Sequence, residues 1–207
     1  MMYKDYLEKN HSFDKKTMLG IFCMIIVIGG VFGFLYEYLF YFFNGGMKEF
    51  YYRGGNFLPW INIYATGSVM IYILTYKYRK NPLKVFLISV ISTGLLEYFS
   101  GLGIYIIGDG LRYWDYNTEI LNFGNINGFI CLRSVMFFAL SALLLMYVIV
   151  PFCFHVASKS NKKVFLIATI TICSIFLADE FYNLIFTKIF NLPNAIKIYK
   201  SIGIHYM

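Results

Sequence analysis

Length set against bilayer thickness is the strongest constraint on this chain. A bilayer core of ~30 Å takes about 20 apolar residues in a helix that rises about 1.5 Å per residue. Five runs meet that length: 18–43, 58–76, 83–107, 129–155 and 164–186. The first is far longer than the ~7–15 residues of a cleavable signal core, and no A-x-A-like site follows it, so it is expected to stay as an anchor. The expected fold is all-α: one polytopic transmembrane helix bundle of about five spans, filling residues 1–207 as a single domain. Residues 1–17 form an N-terminal segment, 108–128 an external or re-entrant loop, and 187–207 a tail.

Composition agrees. Of the 207 residues 59% are hydrophobic and 14% charged, and the mean hydropathy is +0.62. An ordinary soluble domain carries about 25% charged residues, and disorder needs low hydrophobicity with high net charge, so both are excluded. The 22 Phe and 19 Tyr suit helix ends at membrane interfaces.

The net charge of +7 reads as topology. From the N-terminus through the four loops, the Lys and Arg counts are four, two, four, one and three. Basic loops alternate with poor ones, which places the N-terminus in the cytoplasm and the C-terminus outside. Lys188, Lys197 and Lys200 in the tail run against this pattern. Basic residues in short loops beside lipid give no nucleic-acid surface. Near the start, Tyr3, Leu7 and Asn10 with Lys4 and Glu8 suggest a short surface helix, and Ser12 is placed to cap the first span.

Cys23, Cys131, Cys153 and Cys173 all fall in apolar stretches without C-x-x-C spacing, and His11, His155 and His205 are scattered. No metal site is expected from them, nor a cofactor, and no Walker A loop is present.

Acids inside the spans carry the chemical interest. Span one ends Gly33-Phe-Leu-Tyr-Glu37-Tyr38, span three contains Gly94-Leu-Leu-Glu97-Tyr98, and span five contains Asp179-Glu180-Phe181. A carboxylate at a helix centre costs about 2.5–3.5 kcal/mol on insertion scales and normally faces the bundle interior with a partner. Gly29 and Gly33 share a stripe with Glu37, and Gly94, Ser100 and Gly101 share a face with Glu97, so close helix approach points the acids inward. Arg53, Arg112 and Arg133 are the expected partners, with Arg112 or Arg133 on Glu97. Asp179 and Glu180 lie ~100° apart on a helix, so one of them is expected to face the cluster.

The segment 108–128 is the densest chemically, with Asp109, Arg112, Trp114, Asp115, Asn117, Glu119, Asn122, Asn125 and Asn127. It is expected to lie over an external polar cavity floored by Glu37 and Glu97, with Arg112 oriented by Asp115 and Trp114 largely buried. Candidate cavity residues are therefore Glu37, Arg53, Glu97, Arg112, Trp114, Asp115, Asn127, Arg133 and Glu180. Acid followed by aromatic recurs in spans one and three, and their following loops rhyme, which suggests a tandem helix–loop–helix repeat. The alternative is aromatic-belt composition recurring by chance.

These motifs resemble the bacterial putative ABC-transporter type IV family, the CmpB-like proteins. Leu96-Glu97-Tyr98, Arg112-Tyr113-Trp114-Asp115-Tyr116-Asn117 and Asn125-Ile126-Asn127-Gly128-Phe129-Ile130-Cys131 follow that family's E-Y, R-Y-W-D-Y-S and N-x-N-G-x-I-C elements. The first unit matches in part, through Tyr36-Glu37 and Arg53-Gly54 with Pro59 and Ile63-Tyr64. Asn62 stands where the family has Pro, Ala65 replaces a Gly and Asn117 a Ser. The resemblance implies a permease subunit in a bacterial cytoplasmic membrane, surrounded by lipid, with a separate ATPase subunit as partner; a homo-oligomer stays open. Two other readings stay open as well. One is an intramembrane enzyme on a lipid or lipid-linked substrate, with Glu37, Glu97 and Asp115 as acid/base groups. The other is a structural or regulatory partner of another membrane protein.

The topology gives the first test. A reporter fused after Met207 should be active only outside the cytoplasm, and cytoplasmic activity would mean a miscounted span.

Overall fold

The computed structural model describes residues 3–8, 13–44, 54–107 and 109–204. Among them the regular structure is helical, and the one β contact is an isolated bridge between Ile126 and Ile130. In chain order the helices are α1 (Tyr3–Glu8), α2 (Lys15–Asn44), α3 (Asn62–Thr75), α4 (Pro82–Ile107) and α5 (Leu132–Leu144), then α6 (Val150–Lys159), α7 (Lys162–Phe181), α8 (Thr187–Ile189) and α9 (Ala195–Ser201). Short π-helical turns, Leu145–Ile149 and Tyr182–Phe186, join α5 to α6 and α7 to α8.

Among the described residues four helices are long and apolar enough to cross a membrane: Lys15–Phe43, Pro82–Ile107, Leu132–Lys159 and Lys162–Ile189. They coincide with four of the five runs in the sequence. The run 58–76 differs, because its helix α3 begins only at Asn62 and has 14 residues. Its first residues bend around Pro59, and the N–H groups of Phe57 and Leu58 are turned to a carboxylate.

The π turn before α6 has a local cause. Pro151 has no N–H and its ring crowds the carbonyl four residues back, which would break a regular turn. The chain widens instead: the Val150 N–H bonds the Leu145 carbonyl, five residues away.

Helix α4 shows how sequence period becomes orientation. Leu83, Leu87, Ile91, Leu95 and Phe99 are exposed at four-residue spacing, while Val85, Ser89, Thr93, Glu97 and Gly101 are buried at the same spacing. One stripe is apolar for lipid, and the other is small and polar for close packing.

The chain forms two compact units, with the boundaries falling inside α3 and α6. In the unit of Gly67–Phe152 with α1, α4 and α5 pack as an antiparallel hairpin. Val135 lies against Gly94, and Phe129 against Gly101. At its other end Arg79 is buried; its Nε donates to the Tyr6 carbonyl at 3.0 Å, and its guanidinium stands 4.3 Å from the Tyr76 ring centroid. Burial holds the Tyr6 phenol above its usual pKa.

In the unit of Ser12–Thr66 and Cys153–Met207, α2 and α7 run parallel, as expected for spans one and five. Asp14 pairs with Lys162 at 2.9 Å where both helices start, Gly20 meets Phe165 and Thr169, and Gly30 meets Phe176. Trp60, Ala65 and Phe176 form a core with Ile26, Val27 and Val31 around it. Asp14 caps α2 through the Lys16 and Thr17 N–H groups. The Thr17 hydrogen bond, then Lys162, hold its carboxyl well below the usual carboxylate range. Ser12, the cap expected from sequence, lies outside the described residues.

Two glycines separate packing from propensity. A Cβ at Gly33 would run into the Tyr64 ring, whereas one at Gly103 meets nothing within 4 Å. Gly33→Ala should destabilise by about 1–3 kcal/mol. Gly103→Ala should be neutral or stabilise by up to ~1 kcal/mol, since alanine favours the helix. Thermal unfolding of both variants in one detergent checks the pair.

Candidate functional site

Each unit contains one carboxylate cluster, built from the same two parts: an acid in the buried stripe of a long helix, and a loop that brings it donors. A helix cannot supply those donors itself, because its N–H groups are already bonded along the axis.

In the first unit the acid is Glu97, 3% exposed. Its carboxylate accepts from the Tyr116 hydroxyl on one oxygen, and Ser134 Oγ lies 2.8 Å from the other. Its hydrogen-bond partners among the described residues are thus two hydroxyls. Neither Arg112 nor Arg133 takes the place expected beside it. Arg133 pairs with Glu119, both about 15% exposed, and stands 5.5 Å from the Tyr116 ring centroid. Arg112 Nη1 donates to the Asn127 carbonyl at 2.8 Å, and the guanidinium lies over the Tyr105 and Phe129 rings at 4.9 and 4.6 Å. Asp115 does stand beside it, at 3.6 Å, as the three-residue spacing predicts. The physical reason for the difference is reach. The contacts of Arg112 are made within the loop and on the two rings, and Arg133 is taken by Glu119, which leaves Glu97 to uncharged donors.

The loop 109–131 is a closed hydrogen-bond network. Asp115 Oδ1 accepts from the Asn117 N–H at 3.0 Å and from Asn117 Nδ2 at 2.7 Å. Asn125 Nδ2 donates to Asn117 Oδ1, and Asn125 Oδ1 accepts from the Gly128 N–H, each at 2.8 Å. The Tyr116 N–H donates to the Gly128 carbonyl at 3.0 Å, which fixes the phenol's direction. Gly128 has φ +77, and a Cβ there would overlap Arg112, Asp115 and Asn117, so only glycine fits. Asn127 beside it is also left-handed, at φ +56, and its amide reaches the Tyr98 hydroxyl at 3.3 Å. Trp114 is half-buried, not largely buried; it packs on Gly101 and donates to the Phe129 carbonyl at 2.9 Å. Burial, then the Glu97 charge, raise the Tyr116 phenol well above its usual pKa, so it remains a donor.

In the second unit the acids are Asp179 and Glu180, 7% and 6% exposed. Asp179 accepts from the Phe57 and Leu58 N–H groups at 2.9 Å each, from Trp60 Nε1 at 3.0 Å and from Asn183 Nδ2 at 2.8 Å. Glu180 accepts from Asn56 Nδ2 at 2.7 Å. Both acids are therefore engaged, where ~100° of separation led us to expect one. The loop 54–61 wraps far enough around α7 to reach the two. The tail closes over it: the Ala195 N–H donates to Asn183 Oδ1 at 2.8 Å, and Phe57 packs against the Tyr182 and Tyr199 rings.

Glu37 is half-buried on α2 in this unit. Arg53 lies outside the described residues. Sequence reasoning did not assign Tyr116, Ser134, Asn56 or Trp60 as partners of the acids. A signal existed for Tyr116, since it continues the R-Y-W-D string; Ser134 carried none.

Asp179 can be tested directly. Asp179→Asn places an amide among donors and leaves N–H groups without an acceptor, so it should destabilise by about 2–3 kcal/mol. Glu180→Gln keeps an acceptor for Asn56 and should cost less. Melting temperatures of the two variants in detergent check the order.

Known proteins were compared with these features. No curated protein and no solved structure matches the chain. The family profile described as putative ABC-transporter type IV matches residues 24–184. That stretch holds Asn56, Trp60, Glu97, Tyr116, Ser134, Asp179 and Glu180, hence both carboxylate clusters. With more than three quarters of its length matched, and with helices of membrane-spanning length and composition, the chain belongs to the putative ABC-transporter type IV family.

Proposed function

We propose that the chain is the multi-pass permease subunit of an ABC-type transport system, with its N-terminus in the cytoplasm and its two acid–loop clusters toward the outside. The family match over 24–184 is the observation that carries this reading. Intramembrane carboxylates held inside a bundle support it, since polar groups at that depth generally line pathways or fix the helices beside them. Within the one unit Glu37 and Glu180, and within the other Glu97 with Arg112, Trp114, Asp115, Asn127 and Arg133, are the polar residues proposed to serve transport; Arg53 joins them by sequence alone.

The ATPase would dock at the opposite end. There Arg79 is occupied by Tyr6 and Tyr76, while Lys77, Lys80 and Lys84 are exposed. Arg79 thus ties α1 to the turn before α4, and the three lysines around it present a small basic surface. An enzyme on anionic lipids would want a free guanidinium. Arg112 and Arg133 both donate to loop groups instead, so no observation favours that reading.

Affinity purification of the tagged full chain from its native membranes tests the proposal. An ATP-hydrolysing subunit should co-purify, and replacing Lys77, Lys80 and Lys84 together by Glu should release it. Purification without an ATPase, with turnover of bound lipid, would overturn it.

A further inference from the structure

The hydrogens around Glu97 do not have a single arrangement. Ser134 Oγ lies 2.8 Å from Glu97 Oε2 and 2.9 Å from the Cys131 carbonyl, and it accepts from the Cys131 N–H at 3.2 Å. A serine hydroxyl has one hydrogen to donate. If that hydrogen goes to Oε2, Glu97 is a carboxylate, and the Cys131 carbonyl keeps only the Val135 N–H at 3.1 Å. If it goes to the Cys131 carbonyl, the 2.8 Å contact needs a hydrogen from Glu97 itself, and Glu97 is a carboxylic acid. Both arrangements leave every group in the cluster bonded. They differ by one proton and one hydroxyl rotation.

We propose that Glu97 is a proton-binding site, and that Ser134 and Tyr116 pass its occupancy to the start of α5 and to the loop 109–131. Uptake proceeds by transfer of a proton from hydronium to Oε2, releasing water. The Ser134 hydrogen then turns from Oε2 to the Cys131 carbonyl, and Oε2–H donates to Ser134 Oγ. The Tyr116 hydrogen stays on Oε1 throughout, and release is the reverse. The titratable groups facing the site are Tyr116 and Glu119 from the loop and Arg133 from α5, the last two paired with each other. The second cluster is built differently. Every hydrogen-bond partner of Asp179 is an N–H, which can donate but not accept, so an added proton there would meet only donors. The donors around Asp179 thus leave an added proton no acceptor, whereas the Ser134 hydroxyl beside Glu97 offers one, independent of which energy source drives transport.

pH-difference infrared spectroscopy of the full chain in lipid nanodiscs tests this. A carboxylic-acid C=O band should exchange for carboxylate bands across the titration and vanish in Glu97→Gln. Ser134→Ala and Tyr116→Phe keep Glu97 and should each move that band to higher frequency, because one hydrogen bond is lost. These two variants hold the test open if Glu97→Gln fails to fold. Identical difference spectra in the wild-type and Glu97→Gln chains would overturn the proposal, as would a band that neither hydroxyl variant moves. The readout is protonation alone, so its failure leaves the permease reading intact, and absence of an ATPase leaves this one intact.

Discussion

A carboxylate inside an apolar helix must find hydrogen-bond donors, and much of this structure follows from where they come from. The helix has none to give, and lipid has none either. Backbone donors must arrive on chain that is not helical, beside the side-chain donors that Ser134 and Asn183 bring from helices, and such chain is tolerated at depth only when its own polar groups are satisfied. This explains why the run 58–76 gives up its first turn. Phe57, Leu58 and Trp60 serve Asp179 with two backbone N–H groups and an indole from the bent segment ahead of α3. It also explains why the loop 109–131 is rich in Asn and Asp. Those side chains bond to the loop's own backbone and so stand in for secondary structure.

The arginines show the order in which local and long-range terms act. A guanidinium beside an intramembrane carboxylate is attractive on charge alone, but both ions must first leave water, and that desolvation is several kcal/mol per ion. Arg112 avoids it by staying in the loop between two aromatic faces, with a backbone carbonyl as acceptor. Arg133, at the start of α5, pairs instead with Glu119 of the loop. What enters the helix pair instead is Tyr116, an uncharged donor that brings a ring to fill space, and Ser134, which is small enough for α4 and α5 to close.

These features were unequally legible in the sequence. The long spans were readable because length and apolar period are local properties, and the inward direction of Glu97 followed from Gly94 and Gly101 on its own helix. The Arg112–Asp115 pair was readable for the same reason, at three residues' spacing. What could not be read were contacts set by how a loop closes. Asn56 meets Glu180 from 124 residues away, and Ser134 meets Glu97 from 37. The left-handed Asn127 and Gly128 that aim the loop leave only a weak trace, the N-G pair within N-I-N-G-F. Charge complementarity pointed to arginine as the acid's partner, and it misled because it ignores desolvation.

The two clusters answer one requirement with different chemistry, and the difference has consequences for motion. Four N–H donors around Asp179 fix one hydrogen pattern; the tail's Tyr199 braces the loop that supplies three of them, and Ala195 holds the Asn183 amide that supplies the fourth. That cluster behaves as a rigid joint between α7 and the loop 54–61. Around Glu97 both partners are hydroxyls, and one of them, Ser134, can exchange donor and acceptor roles without any heavy atom moving. A group that can be satisfied in two ways lets the contacts between α4, α5 and the loop 109–131 change strength while their geometry persists. Alternation between states needs an element with two arrangements, and in this chain the hydroxyl-lined Glu97 offers two hydrogen patterns where the N–H-lined Asp179 offers one.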